Sequence, residues 1–328
     1  MQQNQKIALF QVRNFGEKFL ATFDFLSQNR NTFLRYLLCI FLPISLLQAL
    51  GLTTMLPGDL AAEQGNYPAS GEDIIHLFLS EGLTFVCSFV GSIMMVVLMA
   101  TLIRTYSERE QGLDGITWAQ VQPLMKKMGV RTFLLAFTMV MFAMIVAVVM
   151  VLLVFITGGG AFAGILVLIG IVVAFLCVPL VLVTPVYLYE DDTPVLDAYV
   201  RAFKIGWHTY WSMLGFLLVV GLVCFVLNML VMIPWYVMFF IKALSLGSTA
   251  VGVISNDILY NVGLYLMGVL MCVGSYAVSM VSLTAYFFQY GTSRERLEGT
   301  SATQDVNQTD HMDADDDNKQ TDDRISFD

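Results

Sequence analysis

The sequence predicts an all-α membrane protein: a bundle of six transmembrane helices with three interfacial amphipathic helices, built as a three-fold helix-plus-hairpin repeat. Three observations lead there. Hydrophobic residues make up 57% of the 328 positions and charged residues only 13%, whereas about a quarter of an ordinary soluble domain is charged. Six apolar runs are each long enough to cross a bilayer, which takes about 20 helical residues. Amphipathic stretches precede three of those runs, and two of them align without a gap.

The first run covers residues 32–56, with Pro43 expected to bend it locally, and the second covers 80–104. No charged residue lies between Arg131 and Glu190, so this stretch holds two spans, 132–157 and 161–188, turned back at Gly158, Gly159 and Gly160. The fifth and sixth spans, 210–241 and 258–290, exceed the minimum length and are expected to tilt or to extend into the interface. The membrane domain is thus 1–297. Residues 298–328 form a polar tail with 10 acidic and 2 basic residues, against 16 and 15 before it. Such a tail has too little apolar surface to offset its ordering entropy, and disorder is expected. Asp313, Asp315 and Asp317 alternate as in a calcium loop, but the sixth-position glycine and the closing Glu of that loop are missing.

Basic residues set the orientation. Lys6, Arg13, Lys18, Arg30 and Arg35 precede the first span; Arg104, Arg109, Lys126, Lys127 and Arg131 fall between the second and third; Arg201 and Lys204 fall between the fourth and fifth; Arg294 and Arg296 follow the sixth. The alternate loops are nearly bare of positive charge, so both termini are expected in the cytoplasm of a multi-pass cell-membrane protein, the inner membrane where there are two. The N-terminus has no apolar core with a cleavage site after it, so the first span itself is expected to direct insertion.

The amphipathic segments recur before spans one, three and five. In the last, Thr193 and Pro194 read as a helix start, Leu196, Tyr199, Phe203 and Trp207 form a stripe, and Asp197, Arg201, Lys204 and His208 lie off it. Before the first span Phe15, Phe19, Phe23 and Leu26 form the stripe, with Glu17, Lys18, Asp24 and Gln28 elsewhere; Phe19 laid on Tyr199 puts Phe23 on Phe203 and Leu34 on Leu214. Trp118, Val121, Met125 and Met128 make a weaker third copy, disturbed by Pro123. The candidate interfacial collar is therefore Phe19, Phe23, Trp118, Tyr199, Arg201, Phe203, Lys204 and Trp207, which either anchors the protein at headgroup level or binds lipid or a partner.

Chemistry-bearing groups are sparse. Asn228 reads as a polar amide deep in the fifth span, and Ser275, Ser279 and Ser282 share one face of the sixth; these candidate intramembrane contacts suit helix packing better than a permeation path. His76, His208 and His311 have no metal-ligand spacing, and the five cysteines show no CxxC. Tyr189, Glu190, Asp191 and Asp192 form an acidic corner that suits helix capping and topology better than metal binding. No catalytic, metal or cofactor-binding residue is assigned, and no cofactor is expected.

DTPVLDAYVRAFKIGWHTYWSMLGFLL, residues 192–218, and FGEKFLATFDFLSQNRNTFLRYLL, residues 15–38, resemble segments of the six-helix membrane domains related to glycerophosphodiester phosphodiesterases. The resemblance covers about a fifth of the chain by pattern and implies a stand-alone helical membrane domain without the catalytic domain, and no functional residue carries over. The expected function is that of a non-enzymatic scaffold or accessory subunit, whose partners are membrane lipids and a protein met through the collar or the acidic tail, not nucleic acid. A carrier or flippase-like handler of lipids or small amphiphiles is the alternative.

Overall fold

The structure, a computed structural model, describes residues 6–63, 71–157, 163–191, 193–245 and 258–299. It is all-α, with no strand among the described residues, and six of its helices are long and apolar enough to cross a membrane. The Gly158–Gly160 turn and the tail from residue 300 onward lie outside the described residues, as does Asp192.

Helix α1 (Phe15–Gln28) starts at a capping box: Asn14 is the N-cap, and its backbone N–H donates to Glu17 Oε2 at 2.9 Å, which satisfies a donor the helix leaves orphaned. The helix stops at Asn29, where φ −106° and ψ 19° leave helical space, and the Asn29 side-chain amide donates back to the Phe25 carbonyl at 2.9 Å. Helix α2 (Arg30–Tyr36) restarts at once, widens into a π turn over Leu37–Phe41, and continues as α3 (Leu42–Glu63). Pro43 has no N–H for the Cys39 carbonyl, and the π turn before it accommodates that mismatch.

Helix α4 (Gly71–Glu108) is followed by a loop with Gly112 and Gly115 at positive φ, and then by α5 (Trp118–Thr157). Helix α5 runs unbroken through Pro123. The third expected interfacial segment is therefore the opening of a transmembrane helix and not a separate one, because a proline in the second turn forfeits few of the bonds that hold the helix.

The fourth span is broken. Helix α6 (Ala163–Cys177) passes through a 3-10 segment, Val178–Leu182, into α7 (Val183–Tyr189). Pro179 cannot donate to the Phe175 carbonyl; the Tyr210 hydroxyl does so instead, at 3.0 Å. Helix α8 (Val195–His208) crosses this break, and a Cβ on Gly206 would overlap the Pro179 ring. Its N-cap is Pro194, while Thr193, expected to cap the helix, turns its hydroxyl to Glu190 Oε2 at 3.2 Å.

Helix α8 ends at Thr209 with φ −111° and ψ 21°, and its hydroxyl donates to the Ile205 carbonyl at 3.2 Å. Helix α9 (Tyr210–Ser245) then begins, and α10 (Ile258–Glu298) closes the bundle. The starts Phe15 and Val195, the break residues Asn29 and Thr209, and the restarts Arg30 and Tyr210 keep one common separation in sequence.

Helices α4 and α10 form the centre, with α3, α9 and the α7–α8 unit around them; α5, α6 and much of α9 face outward. The core is densest at the end bearing Tyr106, Leu188 and Tyr290. Inside hydrocarbon, helix association relies on packing and hydrogen bonds. At this end water is also excluded, which contributes about 2 kcal/mol for a fully buried large apolar side chain. Deeper in, the Gln48 amide donates to Ser88 Oγ at 2.9 Å and accepts from the Tyr276 hydroxyl at 3.1 Å, tying α3, α4 and α10 together.

Residues 6–14 lie as a strap across the ends of α4 and α10. The Ile7 N–H donates to the Tyr106 hydroxyl at 2.9 Å, Lys6 Nζ to the Ser107 carbonyl at 2.8 Å, and Thr292 Oγ1 to the Gln11 carbonyl at 3.2 Å. Phe10 packs edge-on to Tyr189 and Tyr290. Gly291 leaves room for the strap, since a methyl there would overlap the Leu9 carbonyl oxygen. Gly291→Ala is expected to lift the strap at a cost of about 1–3 kcal/mol, speeding tryptic cleavage after Arg13 by roughly tenfold in limited proteolysis.

Candidate functional site

Most of the described ionisable side chains that pair across the fold converge on the end carrying Glu190 and Asp191, where α7 stops. Asp191 takes a two-pronged hydrogen bond from Arg104 at 2.8 and 2.6 Å, with Lys127 at 3.0 Å and Arg131 Nη1 at 3.6 Å. The Arg131 guanidinium also donates to the backbone carbonyls of Tyr187 at 2.6 Å, Glu190 at 2.7 Å and Asp191, closing the C-terminal end of α7. A cation at a helix C-terminus meets carbonyls with no partner of their own and the negative end of the dipole.

Glu190 points the other way. It accepts from the Tyr290 hydroxyl at 2.7 Å and pairs with Arg201 at 3.1 Å and Arg294 at 3.8 Å. Glu298 extends the chain of charges, 2.6 Å from Arg201 and 2.7 Å from Arg294. Two adjacent carboxylates thus bind α4 and α5 on one side and α8 and α10 on the other. The Arg104 hydrogen bonds hold the Asp191 carboxyl well below the usual carboxylate range, with Lys127 adding to the effect and burial opposing it.

The expected collar divides in two. Phe203 and Trp207 stack with ring centres 5.5 Å apart on the outer face of α8, and Leu196 and Val200 complete an exposed stripe with them. Trp118 is half exposed beside Tyr36, at 5.9 Å, and Lys204 is exposed. Tyr199 instead turns inward to Thr138 of α5, the hydroxyls 3.1 Å apart, and Arg201 belongs to the charge cluster. Phe19 and Phe23 lie 4.8 Å apart against α9 and α10. The bundle-facing side of α8 is Ala198, Ala202, Ile205 and Gly206, and the missing side chain of Gly206 permits its close approach to Pro179.

Two of the intramembrane candidate contacts join α9 to α10, Ser275 Oγ donating to Asn228 Oδ1 at 3.0 Å and Ser282 Oγ to Cys224 Sγ at 3.1 Å, while Ser279 Oγ donates to the Ser275 carbonyl of its own helix at 2.9 Å. A shallow opening of about 230 Å³ lies beside them. His76 lies in α4, His208 is exposed at the end of α8, and His311 is outside the described residues.

Several polar groups escaped the sequence reading, among them Gln48, Gln289 and Lys18. Gln48, not only Asn228, is an amide in a span. Lys18, assigned to the polar side of α1, is fully buried: Nζ donates to Gln289 Oε1 at 2.8 Å, lies 3.5 Å from Ser212 Oγ, and sits 4.9 Å from the centre of the Phe216 ring. No carboxylate pairs with it among the described residues. Gln289 and Ser293 continue the network to Thr209, through contacts of 2.9 Å each. Burial, and secondly the charge of Arg296, push the Lys18 ammonium down to about 8. Helical periodicity could not find this residue, because in α1 the buried face holds Lys18, Ala21, Thr22 and Phe25, and the aromatic stripe stands beside it.

Comparison with protein-family models, with curated proteins and with solved structures finds no match for this chain.

Asp191→Asn is expected to lower stability by about 2 kcal/mol, read from the shift of the unfolding midpoint in detergent, since it leaves partly buried guanidinium groups underpaired. Acid produces the same loss in the wild type: the Asp191 contribution is complete above its ordinary value of 3.8 and disappears as pH falls through the depressed folded value. Lys18 acts at the other end of the pH scale. Its folded value of about 8 lies below the ordinary 10.5, so the unfolded chain holds more protons between them and stability rises with pH across that window. In Lys18→Met that rise is expected to be missing, as measured by the difference between the two unfolding curves at each pH.

Proposed function

We propose that this chain is a non-enzymatic membrane scaffold or accessory subunit, which presents a rigid charged platform and an aromatic rim to a protein partner at the cytoplasmic face. The observation that carries the reading is the division of labour on α8. Arg201 fastens that helix to Glu190 and Glu298, while Phe203 and Trp207 stack on its outer side with Leu196 and Val200. An apolar stripe held on a fixed helix is pre-organised for contact. The carboxylates and guanidinium groups of the cluster are occupied with one another, which supports a structural role for them over a catalytic one.

Placing the charged end in the cytoplasm rests on the gathering there of Arg104, Lys127, Arg131, Arg201 and Arg294. In a two-membrane bacterium the protein would lie in the inner membrane. We read the architecture as three helix-plus-hairpin units, the middle one with its interfacial segment fused to its span. Supporting this are the equal lengths of α1 and α8 and the matched breaks at Asn29 and Thr209, each with a side chain bonded to the carbonyl four residues back. The pattern resemblance to membrane domains related to glycerophosphodiester phosphodiesterases is of the same architectural kind and assigns no chemistry. A carrier of lipids or amphiphiles would need a path from the cytoplasm into the bundle; the strap of residues 6–14 across α4 and α10 weighs against one there.

A photo-crosslinking side chain placed at Val200 is expected to capture one protein in fixed ratio, and the same group at Phe142 on the outer face of α5 to capture lipid alone. Phe203→Ser with Trp207→Ser should abolish the Val200 product at unchanged expression. Equal labelling at both positions would remove the scaffold reading.

A further inference from the structure

We propose that the groove between α6 and the α8–α9 junction holds one anionic phospholipid, with its phosphate at Arg296 and its acyl chains along α6. The groove encloses about 860 Å³, within the range of roughly 300–1,000 Å³ typical of small-molecule sites. The break at Pro179 creates it. With the helix interrupted there, α6 leaves the bundle, and the Tyr210 hydroxyl fixes the departure point by its bond to the Phe175 carbonyl.

The lining combines apolar residues of α6 with aromatic rings, His208 and the cationic Arg296. Ile171, Val172 and Phe175 form one side, and the Trp207, Tyr210 and Trp211 rings, 5.6 Å apart in succession, another. Aromatic rings of this kind favour the headgroup boundary. No carboxylate lines the groove among the described residues.

Charge pairing separates Arg296, and Arg13 beside it, from the arginines of the cluster. Arg104, Arg131, Arg201 and Arg294 all face Glu190, Asp191, Glu108 or Glu298. Arg296 makes no ion pair among the described residues, and its one described hydrogen bond goes from Nη2 to the Arg13 carbonyl at 3.4 Å. Behind the groove wall stands Lys18, buried and 3.5 Å from Ser212, itself a lining residue. The site therefore places two cations without a carboxylate at the end of an apolar channel. That complements a phosphodiester attached to hydrocarbon: the anion answers Arg296, which can bind phosphate with two parallel N–H donors, and the chains cover the outward face of α6. A free anion would leave the apolar wall bare, and a neutral lipid would leave both charges unanswered. The inference shares Trp207 with the scaffold reading but otherwise needs only the spans, and its tests at Arg296 and Val172 leave the Leu196, Val200 and Phe203 stripe untouched.

The test uses the full chain, delipidated in detergent and titrated with phosphatidylglycerol or with phosphatidylcholine of the same acyl chains, the bound lipids being counted by native mass spectrometry. One phosphatidylglycerol is expected to persist per chain under activation that strips phosphatidylcholine. Arg296→Gln should weaken that retention by about tenfold or more, since a charge-assisted hydrogen bond to phosphate is lost; Arg296→Lys should lose less, and Lys126→Gln nothing. Val172→Trp, which fills the apolar wall and leaves the cations in place, should abolish it. Equal retention of both lipids, retention unchanged by Val172→Trp, or displacement of bound lipid by inorganic phosphate would each overturn the proposal. Should Arg296→Gln lower the unfolding midpoint, Val172→Trp decides the outcome alone.

Discussion

The fold depends on two adjacent carboxylates that face opposite ways. Helix α7 ends at Tyr189, and Glu190 leaves helical space with ψ 102°. Glu190 and Asp191 are thereby free to divide between separate partners: Asp191 serves α4 and α5, Glu190 serves α8 and α10. A continued helix would have fixed the angle between these side chains and forfeited one set. Exposed ion pairs contribute little singly, but these share partners, exclude part of the solvent and carry backbone bonds from Arg131 to the end of α7. The cluster works as a connected network, in which losing one member leaves several charges underpaired.

That clamp at one end makes the irregular helices tolerable. Pro43 and Pro179 each remove a backbone donor in a span, where an unsatisfied carbonyl is costly. The first is absorbed by a π turn inside the chain's own helix, the second by a hydroxyl from another helix, Tyr210. The second solution works only where α9 begins at a fixed place against α6. That place is set by the break at Thr209 and by α8 seated on Pro179 through Gly206, so a long-range electrostatic constraint and a local backbone defect are coupled through one small residue.

The sequence makes the spans and the paired breaks legible for a plain physical reason. Hydrocarbon imposes a length and an apolar composition on every crossing helix, and the matched breaks at Asn29 and Thr209 fall at the offset that aligns similar residues before spans one and five. The direction in which an interfacial residue turns is set by neighbours that one sequence window does not contain. Tyr199 was placed on the lipid stripe and turns to Thr138, sixty-one positions away; Arg201 was placed in the collar and meets Glu298, ninety-seven positions away. Lys18 is the sharper case, because a charged residue on an amphipathic helix reads as solvated, and the groups that accompany its burial, Gln289, Ser212 and the Phe216 ring, come from distant parts of the chain.

The two kinds of cation at this end imply two kinds of work. A guanidinium paired to carboxylates is already neutralised and holds helices together. Lys18 and Arg296 carry the same sign without such compensation among the described residues, and the lowered affinity of Lys18 for its proton, caused first by burial and then by Arg296, accords with that. Mutual repulsion between them is a standing cost, which a chain selected for stability alone could remove with a methionine at position 18. The place of Lys18 in a fully buried position, beside a groove whose other wall is apolar, suits the anionic lipid proposed above, which would bring an opposite charge with its own hydrocarbon attached.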